Sequence, residues 1–233
     1  MAPEAHTDKI FDVELTSLRD KLLEMGGKVE AAIAASVRAL IERDSALAEK
    51  VKAQDREINR LEVDIDDMCR RLLALRQPAA SDLRFITTAL KIVVDLERMG
   101  DLAVDICERT IELLDEPQLK PYIDIPRMAE AAQKMLKDSL DAFVSRDAEL
   151  AMKVCEADDF VDNLNQQIFN ELLVYMLQDP KNIARAVRLT YITKYLERVG
   201  DHATNIAEMV VYMVKGKVIR HMACEMRSQG PAT

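Results

Sequence analysis

One hexapeptide recurs in this chain with a single change, a hundred positions apart. Leu96-Glu97-Arg98-Met99-Gly100-Asp101 is answered by Leu196-Glu197-Arg198-Val199-Gly200-Asp201. A second pair, Arg43-Asp44-Ser45-Ala46-Leu47-Ala48 and Arg146-Asp147-Ala148-Glu149-Leu150-Ala151, stands in the same order, and the breaks at Pro78 and Pro180 correspond. A chain that repeats itself in this way has to fold as two copies of one unit.

The unit is helical. Glycine (6) and proline (7) are scarce among 233 residues and aromatic residues make up 4%, so strand formers are few. Apolar residues recur at helical spacing in long stretches, which predicts six helices, three per repeat. The first runs from about Asp8 to Arg43, with Phe11, Leu15, Leu18, Leu22, Met25, Val29, Ile33 and Val37 as its core stripe. The second covers about Ser45 to Leu75 and stops before Gln77-Pro78. Ser81 or Asp82 is expected to cap a third that ends near Leu114. A segment with Pro117, Pro121 and Pro126 follows as the linker, and three more helices are expected over about 127–145, 148–178 and 182–215. The expected fold is therefore all-α, two tandem antiparallel three-helix bundles. The expected organisation is a first repeat over 1–115, a linker over 116–126, a second repeat over 127–222 and a tail over 223–233.

A formal charge of −9 opposes a general role on nucleic acid or on an anionic membrane surface. No apolar run approaches the roughly 20 residues that cross a bilayer, so a cytoplasmic protein without direct membrane insertion is expected. The cysteines Cys69, Cys107, Cys155 and Cys224 form no C-x-x-C pair and are read as reduced packing residues.

The charged residues carry the chemistry. Each residue of a helix advances by about 100°, so Glu97, Asp101, Asp105 and Glu108 fall within an arc of roughly 80°. Leu83, Ile86, Leu90, Val93, Val104 and Ile111 share that sector, which makes the carboxylates interruptions of an apolar seam. Glu197, Asp201, Asn205 and Glu208 repeat the pattern. The preceding helix of each repeat offers a facing set: Asp55, Asn59, Glu62 and Asp66 in the first, Asp158, Asp162 and Asn165 in the second.

Carboxylates at i and i+4 on neighbouring helices bring several oxygens together, and a multivalent cation relieves their repulsion best. The competing reading is a solvated bundle edge on which these acids pair with Arg60, Arg70, Arg98, Arg109 or Arg198. Oxygen-only ligands suit Mg, Ca, Mn or oxidised iron, and the Glu-x-x-His pattern of di-iron bundles is missing. His202 points about 100° away from Asp201 and is not expected to be a ligand. His6 and His221 lie near the chain ends and carry no specific reading. Gly100 and Gly200 sit inside helices, where each costs roughly 1 kcal/mol relative to alanine, so a neighbouring helix should approach them closely or a bound ligand should need the room. Met209, Met213 and Met222 are read as core or dimer surface. No nucleophile motif, phosphate loop or Ser/His/Asp set stands out, so catalysis has no positive support.

The twin Leu-Glu-Arg-x-Gly-Asp segments resemble the PhoU family. So do Arg76-Gln77-Pro78-Ala79-Ala80-Ser81-Asp82-Leu83-Arg84, Gln178-Asp179-Pro180 and Tyr212-Met213-Val214-Lys215-Gly216. The resemblance runs from about Asp8 to His221. It implies metal sites at acidic E/D-x-x-x-D motifs, here Glu97 with Asp101, Glu197 with Asp201, and Asp158 with Asp162. Asp55 with Asn59 answers the last pair, and Asp105 is answered by Asn205, so the halves should differ in metal number or affinity. The metals in view are divalent or trivalent ions, Mg, Mn, Fe or Zn. The resemblance further implies a homodimeric, non-enzymatic negative regulator that links the phosphate ABC transporter ATPase to a phosphate-sensor histidine kinase and limits uptake while phosphate is plentiful. A carboxylate-bridged metalloenzyme and a purely structural scaffold remain the alternatives.

Overall fold

The computed structural model of the chain describes residues 9–76 and 78–216. They form six α-helices: α1 (Lys9–Glu42), α2 (Ser45–Arg76), α3 (Ala80–Leu114), α4 (Asp124–Ser145), α5 (Ala148–Gln178) and α6 (Ile183–Lys215), with a 3-10 turn at Pro180–Asn182 before the last. The all-α architecture is as expected.

The repeated Arg-Asp pairs make the same turn twice. Arg43 and Arg146 both adopt left-handed backbone, φ 56° and 55°, the conformation that ends a helix by turning the chain away from its axis. The aspartate that follows each arginine then starts the next helix. Asp44 Oδ1 accepts from the Leu47 amide at 2.9 Å, and Asp147 Oδ1 accepts from the Glu149 and Leu150 amides at 2.9 and 3.0 Å.

Two helix starts differ from expectation. Ser81 and Asp82 do not cap α3: the helix begins at Ala80, Ala79 is extended (ψ 163°), and no side chain caps the end. Asp82 instead lies in the first turn, 6% exposed, where its charge complements the helix dipole. Helix α4 starts at Asp124 rather than Arg127, because Pro126 falls in its first turn, where no intrahelical amide bond is lost. The connection between repeats is thus 115–123, and Pro126 is not part of it.

Helix α1 packs on α2 and α3, and α4 packs on α5 and α6. The repeats then join through α1 against α4 and α3 against α6. Helices α1, α3, α6 and α4 thereby form a central ring, with α2 and α5 on opposite outer sides. One continuous buried cluster runs through both repeats. Across it Phe85 of α3 stacks on Phe143 of α4, ring centroids 4.9 Å apart. Gly26 of α1 admits Leu140 of α4 so closely that a Cβ there would lie 2.2 Å from Leu140 Cδ1. Helices α3 and α6 run antiparallel, as successive contacts show: Arg84 Nε donates to the Met213 carbonyl, Asp95 meets His202, and Glu112 meets Arg188.

The 115–123 connection is held at both sides. Arg43 donates to the carbonyls of Leu114 at 2.8 Å and Glu116 at 2.7 Å, while Arg188 pairs with Glu112 and Glu116, each at 3.1 Å. Lys120 is 5% exposed and pairs with Glu171 of α5.

The core stripe of α1 is as expected except that Leu15 is only partly buried. Leu83 departs further. It is 43% exposed, because the buried stripe of α3 is centred near Phe85, Ile92, Leu96 and Ala103, about 160° from Leu83 around the helix. The carboxylates of α3 therefore stand on the shoulder of the core and do not interrupt it.

Candidate metal centres

Asp55 is the hinge of the first acidic set. Its Oδ2 accepts from the Asn59 amide at 2.8 Å, one turn along α2. Its Oδ1 is buried and has no hydrogen-bond partner. That atom faces Gly100 of α3, 3.2 Å from the point a Cβ would occupy, and Ile58 lies equally close. The helical glycine thus admits side chains of α2, a carboxylate among them.

The neighbours of Asp55 are also acidic. Burial raises its carboxyl above the usual range, Asn59 opposes this, and the charge of Asp101 adds to it. Burial also raises Glu97, followed by repulsion from Asp101 and, after the opposing Arg98, from Glu62 and Asp55. Asp55, Glu62, Glu97 and Asp101 therefore sense one another, as a shared site between α2 and α3 requires. Arg98 spans Glu97 at 3.5 Å and Asp101 at 3.4 Å, but its side chain is more than half exposed and the contacts are long, so it screens the pair weakly.

Asp105 looks elsewhere. Its carboxyl is raised by burial, then by Glu108 and Asp101, and is opposed by Arg109 and by Arg198 of α6. It stands at the seam between repeats. Asp66, also in the facing set, is paired with Arg70 at 2.6 Å.

The second set repeats the arrangement with changes. Asp158 of α5 is 7% exposed, and its Oδ1 lies 3.3 Å from the Cβ position of Gly200. Partial desolvation raises the Asp201 carboxyl, followed by repulsion from Glu197 and from Asp162 of α5, against Lys194 and His202. Glu197 is held by Lys194. Asn205 occupies the place of Asp105, which removes one charge.

Each set offers oxygen donors from two helices, mutual repulsion and a pinched glycine. A hard cation fits the donor type, and the buried Oδ1 of Asp55 fits a ligand atom in need of a partner. Among the described residues no three carboxylates, imidazoles or thiols converge as a ready cage.

Three features were not legible in the sequence. His202 Nδ1 lies 2.8 Å from Asp95 Oδ1, which ties α6 to α3. Cys155 lies close enough to Glu208 and Asp158 to feel their charge, and burial with those carboxylates pushes its thiol up to about 11. Lys120 has left solvent for Glu171. Cys69 and Cys107 are buried with thiols pushed up to about 12 by burial, in keeping with packing roles. Met213 belongs to the core, and Met209, partly buried, packs against it. His6, His221, Met222 and Cys224 lie outside the described residues.

Two tandem three-helix units, each with an acidic set beside a helical glycine, define a duplicated all-helical bundle protein. The PhoU domain matches residues 22–110 and 125–210, one copy per repeat. The chain belongs to the PhoU family. It is 44% identical over 218 residues to a phosphate-specific transport system accessory protein PhoU homolog of Pseudomonas putida, covering 93% of this chain and 85% of that one. A homolog of the same description from Aquifex aeolicus is 45% identical, covering 91% of this chain and 96% of the relative. The crystal structure of PhoU from Pseudomonas aeruginosa matches with a TM-score of 0.85 at 44% identity, covering 89% of this chain and all of that one. The phosphate transport system regulatory protein PhoU from Streptococcus pneumoniae matches with a TM-score of 0.83 at 32% identity, covering 89% of this chain and 98% of that one. Among the described residues no helix is long and apolar enough to cross a membrane.

Proposed function

We propose that this chain is a cytoplasmic, non-enzymatic regulator of phosphate transport that restrains uptake by the phosphate ABC transporter and represses the phosphate-starvation response while phosphate is plentiful. Its partners are the transporter ATPase and the phosphate-sensor histidine kinase, and its working form is a homodimer. The observation that carries the reading is the duplicated acidic set on a fold shared with phosphate-transport accessory proteins.

The acidic sets give the adaptor its shape. Glu97 and Asp101 face Asp55, Asn59 and Glu62, and their mutual repulsion pushes α2 from α3. Glu197 and Asp201 face Asp162 beside the buried Asp158, and push α5 from α6. A bound divalent or trivalent metal ion, Mg, Mn, Fe or Zn, supplies the positive charge that offsets this repulsion and clamps each outer helix to the central ring. The outer helices then present a fixed surface to a protein partner. The acidic sets themselves repel phosphate, so the phosphate signal reaches the chain through its partners.

The test is a pull-down of the purified, metal-replete protein with the transporter ATPase and with the cytoplasmic region of the kinase. It is repeated with Glu97, Asp101, Glu197 and Asp201 changed to alanine, after a circular dichroism check of folding. Capture of either partner by the unaltered chain, lost in the folded variant, supports the reading. Capture of neither sinks it. Sedimentation of the free protein checks the dimer.

A further inference from the structure

The two repeats present different seams to solvent. Helices α5 and α6 run antiparallel, with Asp158 beside Gly200 and the Asn182 side chain donating to the Tyr175 carbonyl at 3.0 Å. That register brings Phe169, Leu173 and Leu177 of α5, each one turn from the next, alongside Ile183 and Val187 of α6. All five side chains are between 37% and 78% exposed. Single apolar residues on a surface are ordinary, whereas a continuous strip along one helix pair marks a contact surface.

The first repeat lacks this strip. The spacing that sets Asp158 on Asp55 and Gly200 on Gly100 sets Phe169 on Asp66, Leu173 on Arg70, Leu177 on Ala74 and Val187 on Thr87. Asp66 and Arg70 form an ion pair there, and of the five positions only Ile183 has a large apolar counterpart, Leu83. The same three-helix unit therefore folds with a polar seam, and folding alone does not account for the apolar one.

The two ends of the strip differ in charge. Leu177 and Ile183 form its apolar end, beside the turn between α5 and α6. Beyond Phe169 the seam runs into the second acidic set, Asp158, Asp162, Glu197 and Asp201, with the exposed Asp159 next to it. These carboxylates together carry more negative charge than Lys194 and one divalent ion offset. We infer that the seam receives a helix of a partner protein, apolar on one face and bearing lysine or arginine at the end that reaches the acidic set. Such a helix meets a groove through anchors about one turn apart, the spacing of Phe169, Leu173 and Leu177. A second copy of the chain fits less well. A two-fold pair of seams lays the acidic end of each on its like or on the apolar end of its mate, and both are costly. This inference names the contact surface of the adaptor reading above and rests on it.

The experiment measures binding of the full chain to the immobilised transporter ATPase and to the immobilised cytoplasmic region of the kinase by biolayer interferometry. Leu173→Gln with Val187→Gln weakens capture of one of them by about tenfold, chiefly through faster release. Ala74→Gln with Thr87→Gln, at the matching positions of the first repeat, changes it by less than about twofold. Asp159→Asn slows association and flattens its dependence on salt. Circular dichroism checks each variant, and Leu177→Gln, at the most exposed of the five positions, decides alone if the double variant does not fold. Unchanged affinity in the second-repeat variant overturns the inference while the adaptor reading stands. Loss of self-association in that variant, seen by sedimentation, assigns the seam to a second copy and overturns it as well. An association rate indifferent to Asp159→Asn and to salt overturns the basic partner. Capture of neither protein by the unaltered chain sinks the adaptor reading and this inference together.

Discussion

Asp55 Oδ1 and Gly100 meet so closely that a Cβ on the glycine would stand 3.2 Å from the oxygen, with two carbons of Ile58 at 3.2 and 3.3 Å. Gly100→Ala therefore gains helix propensity of roughly 1 kcal/mol and loses more to crowding, for a net destabilisation of about 1–2 kcal/mol. Gly200→Ala meets its neighbours at 3.3, 3.5 and 3.7 Å and should cost less. Gly27→Ala, with no atom within 4 Å, should stabilise by up to about 1 kcal/mol. Urea unfolding of the three variants orders them, and Gly100→Ala as stable as the unaltered chain refutes the close approach.

Removing either member of the Asp95–His202 pair should loosen the two repeats from each other. The contact is 2.8 Å long and its side chains are 17% and 16% exposed on the histidine and aspartate sides. His202→Ala should cost about 1–2 kcal/mol, since a largely buried carboxylate loses a partner. Hydrogen exchange should show the loss along α3 and α6 before it reaches α2 or α5. Uniform loosening of all six helices would count against a local seam.

The acidic sets give the metal-free chain an inverted pH response. Glu97, Asp55, Asp105 and Asp201 all have carboxyls raised above their ordinary values in the folded state. The folded form therefore binds protons more readily than the unfolded form. The stabilisation is fully present below the unfolded carboxylate range near 4 and is lost as pH rises through the raised folded values. In excess chelator, Glu97→Gln should stabilise the protein at pH 7 by less than about 1 kcal/mol and should not do so near pH 4. Denaturant midpoints at the two pH values check the sign. Added metal should reverse the ranking, because the unaltered chain alone keeps its ligand.

Arg43 and Arg146 share one backbone conformation and differ in their side-chain work. Arg43 bonds carbonyls of Leu114 and Glu116, whereas Arg146 lies over the Phe85 ring at 5.9 Å. Glycine relieves the left-handed backbone at both sites. Arg146→Gly should fall within about 1 kcal/mol of the unaltered chain, while Arg43→Gly should lose about 1–3 kcal/mol net through its carbonyl bonds. Thermal melts of the pair separate backbone from side chain, and equal losses would contradict the assignment.

The helices could be read from the sequence because helical periodicity is a local property. Stripes such as Phe11, Leu18, Leu22 and Met25 repeat within a few residues, and the Arg-Asp turns carry their own left-handed residue and cap. The acidic sets were legible for the same reason, since Glu97 and Asp101 lie one turn apart, and the duplication made the second set visible beside the first. Their angular position was read less well. The stripe of α3 centres on Phe85, Ile92, Leu96 and Ala103, and Leu83 lies on the far side of the helix from it and is exposed.

By itself, then, the sequence determined the all-helical class, the duplicated unit, the helix order and the pairing of acids along each helix, all of which follow from the chain's own periodicity. Tertiary structure alone decided which surfaces meet. The α3–α6 and α1–α4 seams set Asp95 on His202, Phe85 on Phe143 and Asp105 towards Arg198. It also left a cavity beside Ala32 and brought Met135 against Gly200. Such contacts depend on the crossing of helices far apart in the chain, and side-chain volumes at those crossings, not any local pattern, determine how they pack.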